Sequence, residues 1–454
     1  MSDSYVRTAD GPRPRAVLVA VQLPQVNDDA FASSLRELAR LANTLGIEVV
    51  GQVTQRRGSL APAVVVGAGK LRELASWTGG TGIVPTYVPP GKGSDEEEEE
   101  LDVEPGEQQA TVVLIDHDLT PSQMRNLETA TGAEVHDRSM VILSIFQRHA
   151  RTREARLQVE IARLNYSAPR LREAHAGGDR QRGGIGGKGA GESAMELDRR
   201  RIRDRVAELR RELEDVKKES DTRRSRRIDS SDVNTVALVG YTNAGKSSLM
   251  RALTGDEVYV ADQLFATLDT TVRVLKPETR PRILVSDTVG FIKKLPHDLV
   301  ASFRSTLQEA QEANLLLHVV DAADPAFRDQ LAVTREVLTE IGAGEQPSLL
   351  VLNKSDQLDD AQRAALLAEF PDAVLMSARA KEDVASMHAR LVAFFEQDME
   401  DAEFVVPYTE QRKVSLLRER TRVISESYDE TGSRVVVRAR KAVIAFLSRE
   451  VRRA

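Results

Sequence analysis

The sequence predicts a multidomain α/β protein. It reads as an N-terminal α/β subdomain with a basic helical hairpin, a central doubly wound sheet around a phosphate-binding loop, and a small C-terminal α/β domain. Three observations carry this reading. The 454 residues exceed the roughly 150 of an ordinary domain and leave room for about three. Apolar β-branched runs alternate with helical periodicity in two separate stretches, at the spacing of βαβ units. Between those stretches lies a long segment of charged side chains with single aliphatics at helical intervals.

Composition narrows the class. The chain is 41% hydrophobic, 29% charged and 4% aromatic, which excludes a disordered or fibrous protein. It has 63 Lys and Arg against 70 Asp and Glu, a net charge of -7, so any nucleic-acid surface must be local. No cysteine is present, which removes a disulfide scaffold, a thiol nucleophile and a thiolate zinc site together and fits a reducing cytosol. No run of about 18 uncharged apolar residues occurs, and Met1 to Arg15 lacks the apolar core of a signal peptide. A cytoplasmic protein with no membrane partner is expected.

Residues 1–150 form the first subdomain, with strands expected at Ala16 to Val21, Ala63 to Val66 and Thr111 to Ile115 and a helix from Phe31 to Leu45. An acidic loop, 91–109, holds the unbroken run Asp95 to Glu100 and has nothing apolar to bury. Residues 151–230 read as an amphipathic hairpin turning at the Gly-rich stretch Gly177 to Gly191. Residues 151–228 carry 22 Lys and Arg against 14 Asp and Glu, so this segment is +8 and the remainder -15. The excess is either a solvated helical face or a surface for RNA. With few aromatics to stack bases, an RNA surface would meet backbone phosphates.

Residues 233–398 carry the second βαβ pattern, with strands at Val236 to Val239, Ile283 to Ser286, Leu315 to Val320, Leu349 to Leu352 and Val374 to Met376. Residues 402–454 hold a strand at Val435 to Val437 after the Thr431-Gly432 turn and a helix from Ala439 to Val451.

The chemistry sits in the central pattern. Directly after its first strand stands Gly240-Tyr241-Thr242-Asn243-Ala244-Gly245-Lys246-Ser247-Ser248, the P-loop spacing between strand and helix. Its backbone N–H groups would wrap phosphates, Lys246 would reach the β- and γ-phosphates, and Ser247 would ligate Mg2+. Asn353-Lys354-Ser355-Asp356 follows another strand. The Asp356 carboxylate can accept paired hydrogen bonds from guanine N1–H and its amine, donors that adenine lacks, so GTP is the expected substrate. Ser377-Ala378-Arg379 would offer a backbone N–H to the guanine carbonyl.

Between these lies Asp287-Thr288-Val289-Gly290, with a carboxylate placed behind Mg2+ and a glycine N–H for the γ-phosphate. Upstream, Thr267 in Phe265-Ala266-Thr267-Leu268-Asp269 is the residue expected to close on Mg2+ when the γ-phosphate is present, with Thr270 and Thr271 as rivals. Lys246, Thr267 and Gly290 form the expected catalytic set; Ser247 and Thr267 are the expected metal ligands. Order and spacing describe a P-loop GTPase with two switch segments. Phe291 and Ile292 follow Gly290 and cannot hydrogen-bond water, so slow intrinsic turnover is expected. A partner, a monovalent cation or another switch residue must then orient the attacking water. Asn243 resembles the P-loop Asn of potassium-activated GTPases, which points to K+; a loop-stabilising Asn is the equal alternative.

These strings together resemble the HflX family of translation-factor-related GTPases. So do Gly186-Gly187-Lys188-Gly189-Ala190-Gly191-Glu192 with Glu196 to Arg200, and Ile145-Phe146 with Ala150 to Glu154 and Gln158 to Glu160. Lys188 and Ala190 stand where the family has Arg and Pro, and the acidic run is unusual. The resemblance implies binding to the large (50S) ribosomal subunit and its rRNA by a monomer, with a role in protein synthesis, ribosome biogenesis or subunit splitting under stress. A GTP-gated switch binding a protein effector is the alternative. A third reading, an RNA-dependent ATPase, would need Gly67-Ala68-Gly69-Lys70 to hold phosphate, but that string lacks P-loop spacing and reads better as a turn.

Overall fold

A computed structural model describes residues 13–84, 109–176, 194–228, 233–255, 264–265, 271–293 and 304–452. The chain forms two compact units that divide after Asp215. The acidic loop, the Gly-rich turn and the Asp229 to Asp232 turn fall outside the described residues, Gln109 excepted.

The first unit runs β1 (Arg15–Gln22), α1 (Asp28–Leu45), β2 (Glu48–Arg56), α2 (Ala68–Thr78), β3 (Val112–Ile115), α3 (Pro121–Thr131), β4 (Glu134–Asp137) and α4 (Arg138–His149). The strands make a parallel sheet in the order β2-β1-β3-β4. Central β1 is buried from Ala16 to Gln22, as a strand covered on both faces must be. Helices α1 and α3 begin where side chains satisfy their first N–H groups: Asn27 accepts from Ala30 N at 2.7 Å, and Thr120 and Gln123 form a capping box on α3.

One expectation fails here. Ala63 to Val66 is not a strand; Val65 takes a left-handed φ of 69° in a turn closed by an isolated Ala61–Val65 bridge. The run is apolar because Val64, Val65 and Val66 are buried in the core beneath the sheet, and burial alone does not choose extended backbone. The second strand is instead β2, an edge strand in which only Val53 is fully buried.

Two networks of buried charge organise this unit. Arg138, 2% exposed, bridges Asp116 at 2.7 Å and Glu37, while Ser34 donates to Asp116 at 2.6 Å. Asp137, fully buried, accepts from Tyr166 Oη at 2.6 Å and Arg170 Nη2 at 2.8 Å. Burial and that carboxylate push the Tyr166 phenol well above its ordinary pKa. Tyr166 and Arg170 belong to α5 (Arg153–Ala176), which is followed by α6 (Ala194–Ile228). Arg153 pairs with Glu212 at 3.3 Å and Arg205 with Glu160 at 3.0 Å, so α5 and α6 run antiparallel side by side.

The second unit contains β5 (Val233–Val239), α7 (Lys246–Thr254), β6 (Thr271–Val274), β7 (Arg282–Asp287), α8 (Arg304–Gln311), β8 (Leu315–Asp321), α9 (Phe327–Glu340), β9 (Ser348–Asn353), α10 (Asp360–Glu369), β10 (Val374–Leu375) and α11 (Lys381–Glu396). The order is β10-β9-β8-β5-β7-β6, parallel except for edge strand β6. Alternate residues feed two cores: Val319 and Val351 pack with α7 and α11 residues, while Val320 and Leu352 pack with Phe327, Leu331 and Leu366. This is a doubly wound sheet, and its parallel strands deliver their C-terminal ends to one edge. Beyond it, β11 (Met399–Val406), α12 (Gln411–Arg420), β12 (Arg422–Asp429), β13 (Gly432–Arg440) and α13 (Lys441–Arg452) form a small antiparallel sheet, β11-β13-β12, covered by helices. Arg440 donates to the buried Asn234 side chain at the start of β5. No described helix is long and apolar enough to cross a membrane.

Replacing Arg138 with Met strands two buried carboxylates and is expected to cost about 3–5 kcal/mol. Urea unfolding followed by Trp77, the single tryptophan and part of this unit's core, measures it; a loss below about 1 kcal/mol would contradict the role assigned to the network.

Candidate nucleotide site

The site is built where β5, β7, β8 and β9 end. β5 runs into the loop 240–245, and α7 starts at Lys246 after Gly245, whose φ is 94°. Only glycine is at ease there, and a β-carbon would collide with the Asn353 amide. Asn243 takes φ 61°, a left-handed geometry that Asn tolerates. That accounts for Asn in the loop on backbone grounds.

The P-loop is closed on itself. Lys246, 5% exposed, donates through Nζ to the Gly240 and Tyr241 carbonyls at 3.0 and 2.9 Å. Burial pushes its ammonium pKa down to about 8, with Asp287 acting in the opposite direction. Phe291, 3% exposed, lies in a parallel bridge with Tyr241. Its N–H donates to the Gly240 carbonyl at 3.1 Å and its carbonyl accepts from Thr242 N–H at 2.8 Å. Two residues further, Lys293 N–H donates to the Tyr241 hydroxyl at 2.6 Å. Gly290 is held so tightly that a β-carbon would stand 2.8 Å from Thr242 Cγ2 and 3.1 Å from Lys246 Nζ.

Asp287, fully buried at the end of β7, accepts from Ser247 Oγ at 2.6 Å, and Thr288 Oγ1 donates to the Leu238 carbonyl at 2.7 Å. A hydroxyl on a carboxylate at the mouth of a phosphate loop is an all-oxygen donor set, the kind Mg2+ takes. Among the described residues no group of three or more His, Asp or Glu could hold a metal. An ion held by Ser247 and the Asp287 carboxylate would be completed by substrate phosphates and water. These residues fit Mg2+.

The base end is joined to the phosphate end by one side chain. Buried Asn353 donates from Nδ2 to the Ala244 carbonyl at 2.8 Å and accepts on Oδ1 from Ala378 N–H at 3.0 Å. Lys354 takes φ 63° and pairs with Asp321 at 2.6 Å. Asp356 is exposed and is aimed by Ser377 Oγ at 2.6 Å, while Ser377 N–H donates to Asp383 at 2.7 Å and Arg379 N–H to Ser377 Oγ at 3.3 Å.

The structure thus brings 240–248, 287–290, 353–356 and 377–379 to one edge of the sheet. Leu264 and Phe265 are buried; Ala266, Thr267, Leu268 and Asp269 lie outside the described residues. Two features are invisible in the sequence. The Tyr241–Phe291 bridge leaves no compositional trace, and neither does the tie from Asn353 to the P-loop. Gly67 to Lys70 is a helix start, with Gly67 N–H on Gln55 at 2.8 Å and Lys70 paired with Glu73.

Gly245→Ala combines a disfavoured φ with a clash and is expected to weaken guanine-nucleotide binding by about a hundredfold or more; titration with fluorescent GDP measures it, and wild-type affinity would contradict this geometry.

Comparison with known proteins gives the family. Residues 235–354 match the family described as a 50S ribosome-binding GTPase, 149–227 a GTP-binding GTPase middle region, and 32–84 with 86–147 a GTP-binding GTPase N-terminal region. The GTPase HflX of Gluconacetobacter diazotrophicus is 57% identical over 449 residues, 97% of this chain and 98% of that protein. That of Escherichia coli K12 is 39% identical over 421 residues, 92% of each. Among solved structures, a GTP-binding protein from Sulfolobus solfataricus in complex with GDP covers 83% of this chain and 99% of its own at 23% identity, with a TM-score of 0.43. By its full-length identity to these relatives and its three matched regions, the chain belongs to the HflX family of GTPases and hydrolyses GTP.

Proposed function

We propose that this GTPase is a GTP-gated switch that associates with the large ribosomal subunit through its basic helical arm. The observation that carries the reading is charge segregation on a defined element. The arm holds +8 in a chain of net -7, and Arg203, Arg210 and Arg211 are exposed along α6, as a phosphate-contacting surface requires. The family matched by 235–354, described as a 50S ribosome-binding GTPase, supports the same partner.

The site supports a mechanism in this chain's own residues. Lys246 leaves the Gly240 and Tyr241 carbonyls for the β- and γ-phosphates, and the loop N–H groups turn to the phosphate oxygens. Asp356 accepts from guanine. Ser247 and Thr267 would hold Mg2+ with Asp287 behind them; when bound, the ion would neutralise charge developing on the phosphate oxygens. Gly290 has to meet the γ-phosphate, so Phe291 must give up the Thr242 and Gly240 bonds, and switch opening is thereby tied to GTP rather than GDP. Water attacks the γ-phosphorus, the bond to the bridging oxygen breaks, and the water proton ends on phosphate. The Phe291 side chain offers that water no hydrogen bond, so turnover is slow until a partner, or K+ near Asn243, completes the site.

Part of the arm's charge is engaged internally: Arg153, Arg201 and Arg205 pair with Glu212, Asp198 and Glu160. That observation favours the second reading, a protein effector, and RNase treatment separates the two, because only an RNA-borne association is abolished by it.

Large ribosomal subunits are expected to stimulate GTP hydrolysis by at least about tenfold, with Lys246→Ala abolishing it; no stimulation would refute the ribosomal reading. Neutralising Arg199, Arg200 and Arg201 is expected to weaken sedimentation with ribosomes and lower its salt slope by about 0.7–0.9 for each phosphate no longer neutralised. Faster turnover in K+ than in Na+ is expected if Asn243 serves an ion, and equal rates would leave Asn243 a loop residue.

A further inference from the structure

The P-loop carries one side chain that neither the phosphate cradle nor the base site uses. Thr242 is 7% exposed, and its Oγ1 is buried with no hydrogen-bond partner among the described residues. Its backbone N–H is engaged by the Phe291 carbonyl, so the loop already satisfies the main chain at this residue and leaves the hydroxyl alone. A buried hydroxyl without a partner destabilises the fold that contains it. Valine has the same shape and would carry no such penalty, so packing does not explain a threonine here.

Where the side chain lies suggests its partner. Thr242 Cγ2 is the nearest atom to the space over Gly290, and the Lys246 ammonium borders that same space at 3.1 Å. In a P-loop, the lysine ammonium and the glycine N–H of the second switch converge on the terminal phosphate. Thr242 therefore borders the two groups that define where a γ-phosphate would sit, in the loop bonded to Phe291.

We propose that Thr242 is a catalytic residue for GTP hydrolysis, its hydroxyl donating a hydrogen bond to a γ-phosphate oxygen once Phe291 has withdrawn. The bond supplies, from the P-loop side, charge stabilisation at the phosphoryl group in a site where the residue after Gly290 is Phe291, whose side chain carries no donor. GDP has no γ-phosphate, so the hydroxyl contributes nothing to GDP binding. The inference rests on the GTPase activity and adds a side-chain role to a residue otherwise used only through its backbone.

The test compares full-length wild type, Thr242→Val and Thr242→Ser in Mg2+, by single-turnover GTP hydrolysis, GDP affinity, and the 31P resonances of a bound non-hydrolysable GTP analogue. Thr242→Val is expected to hydrolyse GTP at least about tenfold more slowly, as loss of a hydrogen bond to a charged group implies, with GDP affinity unchanged. Its γ-phosphate resonance should move while the α-resonance stays. Thr242→Ser, which keeps the hydroxyl and loses the methyl, should match wild type in both. A Val variant with wild-type rate and γ-resonance would overturn the proposal, as would a Ser variant as slow as Val, since the methyl packed on Gly290 would then be what matters. Should Val fail to bind GDP, Ser alone decides by the same two readouts. Wild-type protein inert toward GTP would remove the reaction itself and the proposal with it.

Discussion

Two backbone hydrogen bonds hold the site in its closed form: Phe291 N–H on the Gly240 carbonyl and Thr242 N–H on the Phe291 carbonyl. They continue the pairing of β5 with β7 past the ends of both strands, so the backbone at Phe291 is an extension of the central sheet. Everything at the phosphate end is arranged around them. Gly290 must be glycine because the bridge brings it against Thr242 and Lys246, and Lys246 folds back on the loop carbonyls within the closed space. A buried ammonium with a pKa lowered to about 8 is an uncomfortable charge, and a phosphate is the partner that would relieve it.

The same economy joins the two ends of the nucleotide site. Asn353 is bonded at once to the carbonyl of Ala244 and to the N–H of Ala378, so one side chain links the two segments proposed for the phosphates and the base. Ser377 aims Asp356 and is itself fixed by Asp383. These are short bonds between the ends of adjacent strands, which is where an open α/β sheet places its ligands. In the first unit buried charge has a different role. Glu37, Asp116 and Arg138 neutralise one another among α1, β3 and α4, and Asp137 ties α5 to the sheet through Tyr166 and Arg170, giving the helical arm a fixed root.

What can be read from the sequence follows from burial. Strands covered on both faces, such as β1, β3, β5, β8 and β9, are largely apolar runs and are legible. The strands that the pattern hides, β2, β4, β6, β11 and β12, all lie at sheet edges, where one free side admits residues such as Gln52, Glu134, Arg273, Glu403 and Ser425 and erases the run. Ala63 to Val66 misleads for the converse reason: three buried valines in a turn look like a strand. The P-loop and the guanine motif are legible because their chemistry fixes residue types at fixed spacing. The Phe291 bridge and the isolated Thr242 hydroxyl depend on backbone paths from distant parts of the chain and leave no such pattern.

The central claim is that the terminal phosphate, and not nucleotide as such, parts the Tyr241–Phe291 bridge. Amide hydrogen exchange at Thr242 and Phe291, compared among nucleotide-free protein, the GDP complex and a non-hydrolysable GTP complex, tests it most directly. The account predicts that both amides stay protected without nucleotide and with GDP, and that Phe291 exchanges markedly faster with the GTP analogue. Equal protection in the GDP and GTP-analogue complexes would contradict it.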